Sequence, residues 1–516
     1  MWEGSLFQFS CLCFGLSSAP WTFTKILKPV VASLRRRGIR IVIYLDDFLI
    51  LNQTKEGAER DFILVVEILE KCGFLINWEK SVGVAAQERE FLGLLVNSKE
   101  LSVSLLPKKI EQIIEICRKA RSTIDISLRE VTKILGNLAW AIQAIPFAQG
   151  HYRNIQWLYI TQSARAGGNL STKIQLDEES RAELHWWSNN VRESNGRTFS
   201  VRDPDLIIFS DTSLSGWGAS LNDASAKGPW ADQDRLHHIN ELELMVALFA
   251  LKSFTSMASQ VSVRLMMDNA TAVHYVNNSG GSRSQRLCRI SQEIVAWCVR
   301  RSITINAEYL PGTQNVVADR LSRAGQDSSD WKLNPFVFSH LRARWSLRVD
   351  LFASAWNRQL DQFVSWGRQP DAMAVDAFSL GWAGVNDYAF PPFCLIQRCL
   401  MKLLRDRAEL TLVTPFWPAQ TWFPLLLDLA CEPALVHPRE QLLLGPAGQP
   451  HPLSESLLLV AWRFSGDNSK AAAFRAEWSN SSWEGRATPH QLPTSPRGVI
   501  GVIGVFERRP IPCRLL

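Results

Sequence analysis

Residues 41 to 50 read IVIYLDDFLI. Two short apolar runs, Ile41 to Tyr44 and Phe48 to Leu51, flank the adjacent acids Asp46 and Asp47. Runs of this length rich in Ile and Val predict strands, and the two-residue break predicts a tight hairpin with both carboxylates at its tip. Side-by-side carboxylates repel and lose hydration unless positive charge lies between them. A hard divalent cation with oxygen ligands meets that need. A solvated acidic turn is the alternative that the pair alone leaves open.

Outward from the hairpin, FGLSSAPWTFTKILKPV (14 to 30) and the basic cluster Arg35, Arg36, Arg37 and Arg40 lie upstream. Downstream come a helical stretch from about Lys55 to Cys72, the turn GFLINWEKS carrying Lys80, and Phe91-Leu92-Gly93. Four signals in this order within one hundred residues resemble the palm of reverse transcriptases. The resemblance implies that Asp46 and Asp47 are metal ligands, with Asp46 the main one, and that Tyr44 and Lys80 belong to the same polymerase site. It places Phe14, Gly15 and Ser17 on the nucleotide and template side. Two departures stand out. The family carries a further catalytic Asp on a strand well before FGLSSAP, whereas the thirteen residues before Phe14 contain Glu3 as their only acid. Cys13 stands where relatives usually have a proline. The resemblance therefore puts Met1 midway through the palm and implies a polymerase site lacking its first strand and fingers.

With 516 residues the chain can hold three or more domains, each with its own core. Apolar content of 46% and charged content of 21% are those of a globular protein, not a disordered one. A net charge of +6 is compatible with a polyanionic partner. The ten cysteines form no CxxC pair, and Cys11 and Cys13 have no histidine nearby, so no zinc site is read. Free thiols, no signal peptide and no apolar run long enough to span a bilayer predict an intracellular protein, cytoplasmic or nuclear, with no membrane partner.

After the palm, residues 107 to 122 put Ile110, Ile113, Ile114 and Cys117 on one helical face. A second helix is predicted over 127 to 145, with Ser127 as N-cap and Glu130 at capping-box spacing. By resemblance, residues 1–100 are the partial palm and 101–200 the thumb and connection helices. ARAGGNLS (164 to 171) predicts a linker or exposed loop, and a helix through His185, Trp186 and Trp187 follows.

Residues 201–325 alternate strands and helices. LIIFSDTSLSGWGASL (206 to 221) predicts a strand ending on Asp211 and a Gly-punctuated second strand. HINELELMVALFALKSF (238 to 254) predicts a helix with Glu243 on its first turn. VSVRLMMDNATAVHYVNN (261 to 278) predicts a strand ending on Asp268, then a helix. INAEYLPGTQNVVADRLSR (305 to 323) predicts a strand, a Pro-Gly loop and a helix bearing Asp319. Four carboxylates at such positions can gather at one edge of a sheet. The order and local sequences resemble ribonuclease H, which implies that Asp211, Glu243, Asp268 and Asp319 are the metal ligands and catalytic acids and that Asn315 touches substrate. Glu241 competes with Glu243 for the helix position. The histidine that many ribonucleases H carry just after Pro-Gly is absent, since Thr313 follows Pro311-Gly312.

Residues 326–465 carry strand-like runs at VDLFASAWNRQL (349 to 360), VDAFSLGW (375 to 382), YAFPPF (388 to 393) and LTLVTPFWPAQTWF (410 to 423). This order faintly resembles phage-type adenine methyltransferases, but Phe390 occupies the polar position before Pro-Pro and no glycine-rich loop is evident. A degenerate α/β unit kept for packing or binding is the reading favoured over methyl transfer. Residues 466–516, rich in Ser, Pro and Gly, predict a disordered tail. The predicted fold class is thus α/β and α+β, multidomain. The succession resembles the Pol protein of DIRS-type retrotransposons, the tyrosine-recombinase retroelements. It implies Mg²⁺-dependent cleavage (two ions, with Mn²⁺ as a substitute) of the RNA strand in an RNA–DNA hybrid. The alternatives are an inactive nucleic-acid-binding remnant, or an RNA-directed DNA polymerase if the missing palm half exists.

Overall fold

The computed structural model describes residues 15–199, 203–231, 233–324, 330–384, 386–437, 442–446, 448–454, 456–478, 500–506 and 509–515. They fall into two compact units, residues 1–201 and 202–516. Phe14, Cys13 and Glu3 lie outside the described residues.

The first unit opens on helix α1 (Ala19–Arg36), with Pro20 in its first turn, where a missing N–H costs nothing. Its Leu27, Val31 and Leu34 are buried at helical spacing. They cover one face of the hairpin β1 (Arg40–Tyr44) and β2 (Asp47–Leu51), where Ile41 pairs with Ile50 and Ile43 with Phe48. Helix α2 (Lys55–Lys71), capped by the Thr54 side chain on the Gly57 N–H, adds Val65 and Leu69 to the same core. The hairpin forms, but its tip differs from the expectation. Tyr44 pairs with Asp47, so the loop is Leu45-Asp46 and Asp47 is the first residue of β2. Leu45 takes the left-handed conformation at φ 53°, a strained choice for a branched side chain.

Strands β3 (Glu88–Phe91), β4 (Leu94–Asn97) and β5 (Ser102–Leu105) form a meander whose first turn is Leu92-Gly93. Helix α3 (Pro107–Ser122) buries Ile110, Ile113, Ile114 and Cys117. After the short β6 (Ile126–Ser127), helix α4 (Leu128–Ala141) starts with the capping box expected of Ser127 and Glu130. It stops before the predicted 145, because Pro146 disfavours helical backbone at Ile145. Helix α5 (Arg153–Arg165), β7 (Lys173–Ile174), α6 (Glu178–Asn190) and β8 (Arg197–Thr198) complete the unit. The buried Glu183 carboxylate of α6 accepts the Asn154 and Ile155 N–H groups at the start of α5, at 2.9 and 3.0 Å. Burial pushes that carboxyl up to about 7.

The second unit contains two large sheets. The first has the order β11-β10-β9-β12-β13. Strands β9 (Leu206–Thr212), β10 (Gly216–Leu221) and β11 (Ala224–Pro229) run antiparallel, and β12 (Ser262–Met267) and β13 (Thr304–Tyr309) lie parallel to β9. Helices α7 (Ile239–Thr255), α8 (Ala270–Asn277), α9 (Gln285–Arg301) and α10 (Val316–Arg323) surround it. The Gly-Trp-Gly of β10 has a steric reason. A Cβ on Gly218 would stand 2.6 Å from Ala318 O, Leu321 Cβ and Ser322 N, so only glycine lets α10 lie on this strand.

The second sheet has nine strands. It is built from β15 (Val349–Asp350), β16 (Gln362–Ser365), β17 (Ala374–Val375), β18 (Asn386–Ala389), β19 (Glu409–Pro415), β20 (Ala434–Val436), β22 (Leu459–Ser465), β23 (Ile500–Phe506) and β24 (Arg509–Leu515). Their order is β17-β16-β15-β18-β19-β22-β20-β24-β23, with β15 to β19 parallel and β22 antiparallel between β19 and β20. Strands β14 (Lys332–Leu333) and β21 (Leu443–Leu444) pair beside it. Helices α11 (Pro335–Arg344), α12 (Ile396–Asp406), α13 (Phe423–Leu429) and α14 (Asn468–Trp478) belong to this region. The expected disordered tail is therefore corrected. Helix α14 and the β23–β24 hairpin are ordered parts of the sheet region, with Ile503, Ile511 and Cys513 in its core. Averaging composition across the tail hid these two apolar strands behind the polar stretch 479–499, which lies outside the described residues.

The segment after β16 reaches the first sheet. Arg368 bridges to Ala226 of β11, Gln369 donates to Lys227 O at 2.7 Å, and Asp371 pairs with Lys252 of α7 at 2.8 Å. Residues 201–325 and 326–465, read as separate domains, belong to one compact unit.

Candidate metal centre

The parallel neighbours β9 and β12 end side by side, and each contributes an acid there. Asp211 is the next-to-last residue of β9, and Asp268 directly follows β12. Helix α7 brings Glu243, which is its fifth residue; Glu241, not Glu243, occupies the first turn. One carboxylate oxygen from each of Asp211, Glu243 and Asp268 lies within 4.8 Å of the others. Asp211 and Glu243 are both 4% exposed.

Such crowding makes negative charge costly. Burial, then the charges of Asp268 and Asp211, push Glu243 up to about 9. Burial likewise lifts Asp211 to about 6, against the pull of a hydrogen bond from Ser322. Asp268 is raised by burial and by the charge of Asp319. Glu243 Oε2 is buried without a hydrogen-bond partner. An all-oxygen donor set with one orphaned buried oxygen fits a hard divalent cation.

Asp319 stands apart from these three. It lies in the first turn of α10, partly exposed, with Oδ1 accepting a hydrogen bond from Arg323 Nε at 2.7 Å. One position before Arg323, Ser322 donates its hydroxyl to Asp211 Oδ2 at 2.6 Å. Ser322 was not singled out in the sequence, although its i,i+3 spacing from Asp319 on a short helix is the signal that finds it. Asn315, expected at the substrate, is corrected: it is 1% exposed and donates to Ser210 O at 2.9 Å, tying the start of α10 to β9. The Pro-Gly loop passes close to the acids, since a Cβ on Gly312 would lie 3.0 Å from Asp268 Oδ2. Glu241 is engaged elsewhere, with His237 Nδ1 at 2.6 Å and Arg286 at 3.9 Å.

In the first unit, Asp46 and Asp47 are exposed at the hairpin end, beside an exposed Tyr44. Among the described residues no third His, Cys, Asp or Glu joins them in a metal-holding group. Gly15 and Ser17 are exposed just before α1, and Lys80 is exposed in the turn after α2; Phe14 lies outside the described residues. Pro20, Thr24, Leu27, Ile43, Tyr44 and Leu45 line a cleft of about 260 Å³ behind the hairpin.

Residues 2–96 match the family model for reverse transcriptase (RNA-dependent DNA polymerase). The chain is similar to the enzymatic polyprotein of carnation etched ring virus, 24% identical over 329 residues, 61% of this chain and 46% of that one. The putative enzymatic polyprotein of cassava vein mosaic virus is 21% identical over 335 residues, 63% of this chain and 49% of that one. The chain spans about half the length of the curated relatives it matches. Among solved structures it is similar to a foamy viral protease-reverse transcriptase in complex with RNA/DNA hybrid, with TM-score 0.33 and 17% identity over 62% of this chain and 42% of that one. That score is too low to carry an argument. Among the described residues no helix is long and apolar enough to cross a membrane.

Proposed function

We propose that the second unit is a divalent-metal-dependent endonuclease that cuts the RNA strand of an RNA–DNA hybrid. The observation that carries this reading is the convergence of Asp211, Glu243 and Asp268, with Glu243 Oε2 buried and unpaired. The match of residues 2–96 to the reverse transcriptase family model and the similarity to viral enzymatic polyproteins support it.

Asp211, Glu243 and Asp268 would hold Mg²⁺ or Mn²⁺, with Asp319 within electrostatic reach of Asp211 and Asp268. A divalent cation there supplies Lewis-acid activation of water and neutralises charge at the departing oxygen. The chain's own residues supply placement. Ser322 fixes Asp211 through Oδ2, Asn315 ties the start of α10 to β9, and the Glu243 and Asp211 carboxylates lie away from bulk water. Recognition through backbone phosphates and 2′-hydroxyls suits a nuclease without sequence preference.

The nine-stranded sheet has the layout of an open α/β fold and supports a methyltransferase-like ancestry for residues 326–465. Its residues do not favour methyl transfer. The turn after β15 contains no glycine and is held by Asp330, which accepts from Ser354 Oγ and Trp356 Nε1 at 2.9 Å each. Phe390 packs on Phe393 and offers no polar group.

The test uses the full 516-residue chain on an end-labelled hybrid, with Mg²⁺ and with Mn²⁺. RNA-strand cleavage is expected, with double-stranded DNA left uncut. Asp268→Asn should abolish cleavage while leaving the fold intact, because it removes a ligand and a like-charge repulsion together. Cleavage at the wild-type rate in that variant refutes the site, and no metal-dependent cleavage by the wild type leaves the inactive remnant.

A further inference from the structure

The last turn of α10 holds two acids by opposite sides. Ser322, 1% exposed, donates to Asp211 from within. Arg323 holds Asp319 from outside, Nε to Oδ1 at 2.7 Å, with side chains 69% and 38% exposed. Three carboxylates are thus gathered around one point, while the fourth is occupied by a guanidinium. The guanidinium engages Oδ1 of Asp319, and a divalent cation approaching that carboxylate competes for this oxygen and meets the positive charge of Arg323.

We infer that Arg323 is a latch on Asp319 that sets the affinity of a second, weaker divalent ion. This rests on the metal-centre reading above and adds its regulation. With the latch closed, Asp211, Glu243 and Asp268 make a one-ion site. A second ion that uses Asp319 competes with Arg323 for Oδ1 and is opposed by its charge. An exposed ion pair of this kind is worth little in water, up to about fivefold in an equilibrium, so the latch opens readily once metal concentration rises. Asp319 is partly exposed, which leaves its carboxylate free to change partner without disturbing the core. Ser322 keeps its bond to Asp211 in either state, because its hydroxyl does not touch the Asp319 carboxylate. Metal occupancy can therefore change without moving α10 off β10.

The experiment is calorimetric titration of the full-length protein with Mn²⁺, supported by counting bound Mn²⁺ by electron paramagnetic resonance. Wild type should bind one ion tightly and a second weakly. Arg323→Gln should tighten the weak ion by roughly two- to fivefold and change the tight ion less. Asp319→Asn should abolish the weak ion, and Asp319→Asn combined with Arg323→Gln should match Asp319→Asn alone. An Arg323→Gln protein with both affinities unchanged overturns the latch while leaving the metal centre standing. So does a gain that persists without the Asp319 carboxylate, since Arg323 would then act through general charge alone. A wild-type protein that binds no Mn²⁺, or a tight ion retained undiminished in Asp211→Asn, overturns the metal centre and the latch together.

Discussion

Glu243→Gln should stabilise the metal-free second unit at neutral pH while destroying its response to metal. The glutamate is 4% exposed and its carboxyl is raised from 4.5 to about 9 by burial and by Asp268 and Asp211. The folded state therefore holds a proton that the unfolded chain releases. Stability from this group is full below about pH 4.5 and fades as pH rises toward 9. From about pH 5.5 to about pH 7.5, one retained proton costs on the order of 3 kcal/mol. Asp211, raised to about 6, adds a smaller amount, under about 1 kcal/mol, before it ionises. Native-state hydrogen exchange of β9 and β12 in chelator reports opening of this sheet alone. The wild-type opening free energy should fall by roughly 3 kcal/mol across that window. Gln carries no titrating proton and fills nearly the same volume, so the variant should fall by under about 1 kcal/mol. Added Mn²⁺ should restore wild-type protection at the higher pH and restore much less in the variant. A wild-type opening energy that is flat across the window, or a variant that falls as steeply, refutes the claim that crowded, desolvated carboxylates dominate this site.

Glu241→Gln should cleave hybrid nearly as well as wild type, because Glu241 is bonded to His237 and Arg286; cleavage lost as completely as in Glu243→Gln would reverse the two roles. Gly218→Ala should lower the urea midpoint of the second unit by an amount equivalent to roughly 1–3 kcal/mol, since its Cβ would meet backbone of α10 at 2.6 Å, and cleavage should drop with it. Ser127→Ala removes the side-chain half of the α4 capping box, leaving the Ser127 backbone N–H on Glu130, and should cost the first unit about 1 kcal/mol, read as faster exchange in α4; unchanged exchange would mean that packing alone sets where this helix starts.

What the sequence made legible follows from the range of the forces involved. The β1–β2 hairpin, α2, α3 and the Ser127 cap are specified by neighbours a few residues apart, and each formed close to its expected bounds. Asp211, Glu243 and Asp268 could be picked out because strand ends and helix starts in alternation bring acids to one sheet edge. The register of the hairpin tip escaped, because whether Asp47 turns or pairs depends on which residue tolerates φ 53°, and Leu45 is a poor candidate by propensity. Asn315 escaped because its burial depends on α10 lying against β9, a contact that Gly218 on β10 permits. The Asp319–Arg323 pair is local and could have been read from i,i+4 spacing, but spacing does not say that it withdraws one acid from the other three.

The junction after β16 bears on any attempt to work with the five-stranded sheet by itself. Strand β11 is the outermost strand of that sheet, and an uncovered edge is a template for a neighbouring chain to extend. Here Arg368 bridges to Ala226 and the Gln369 amide takes the Lys227 carbonyl, so part of that edge is satisfied from within the molecule. Cutting the chain at 324 would strip off this cover and release Lys252 from Asp371. The excised sheet would then carry an adhesive border, and its first fate in solution would be pairing with its own copies. By covering part of β11, the segment after β16 would guard that edge against self-association, a role that needs no chemistry of its own.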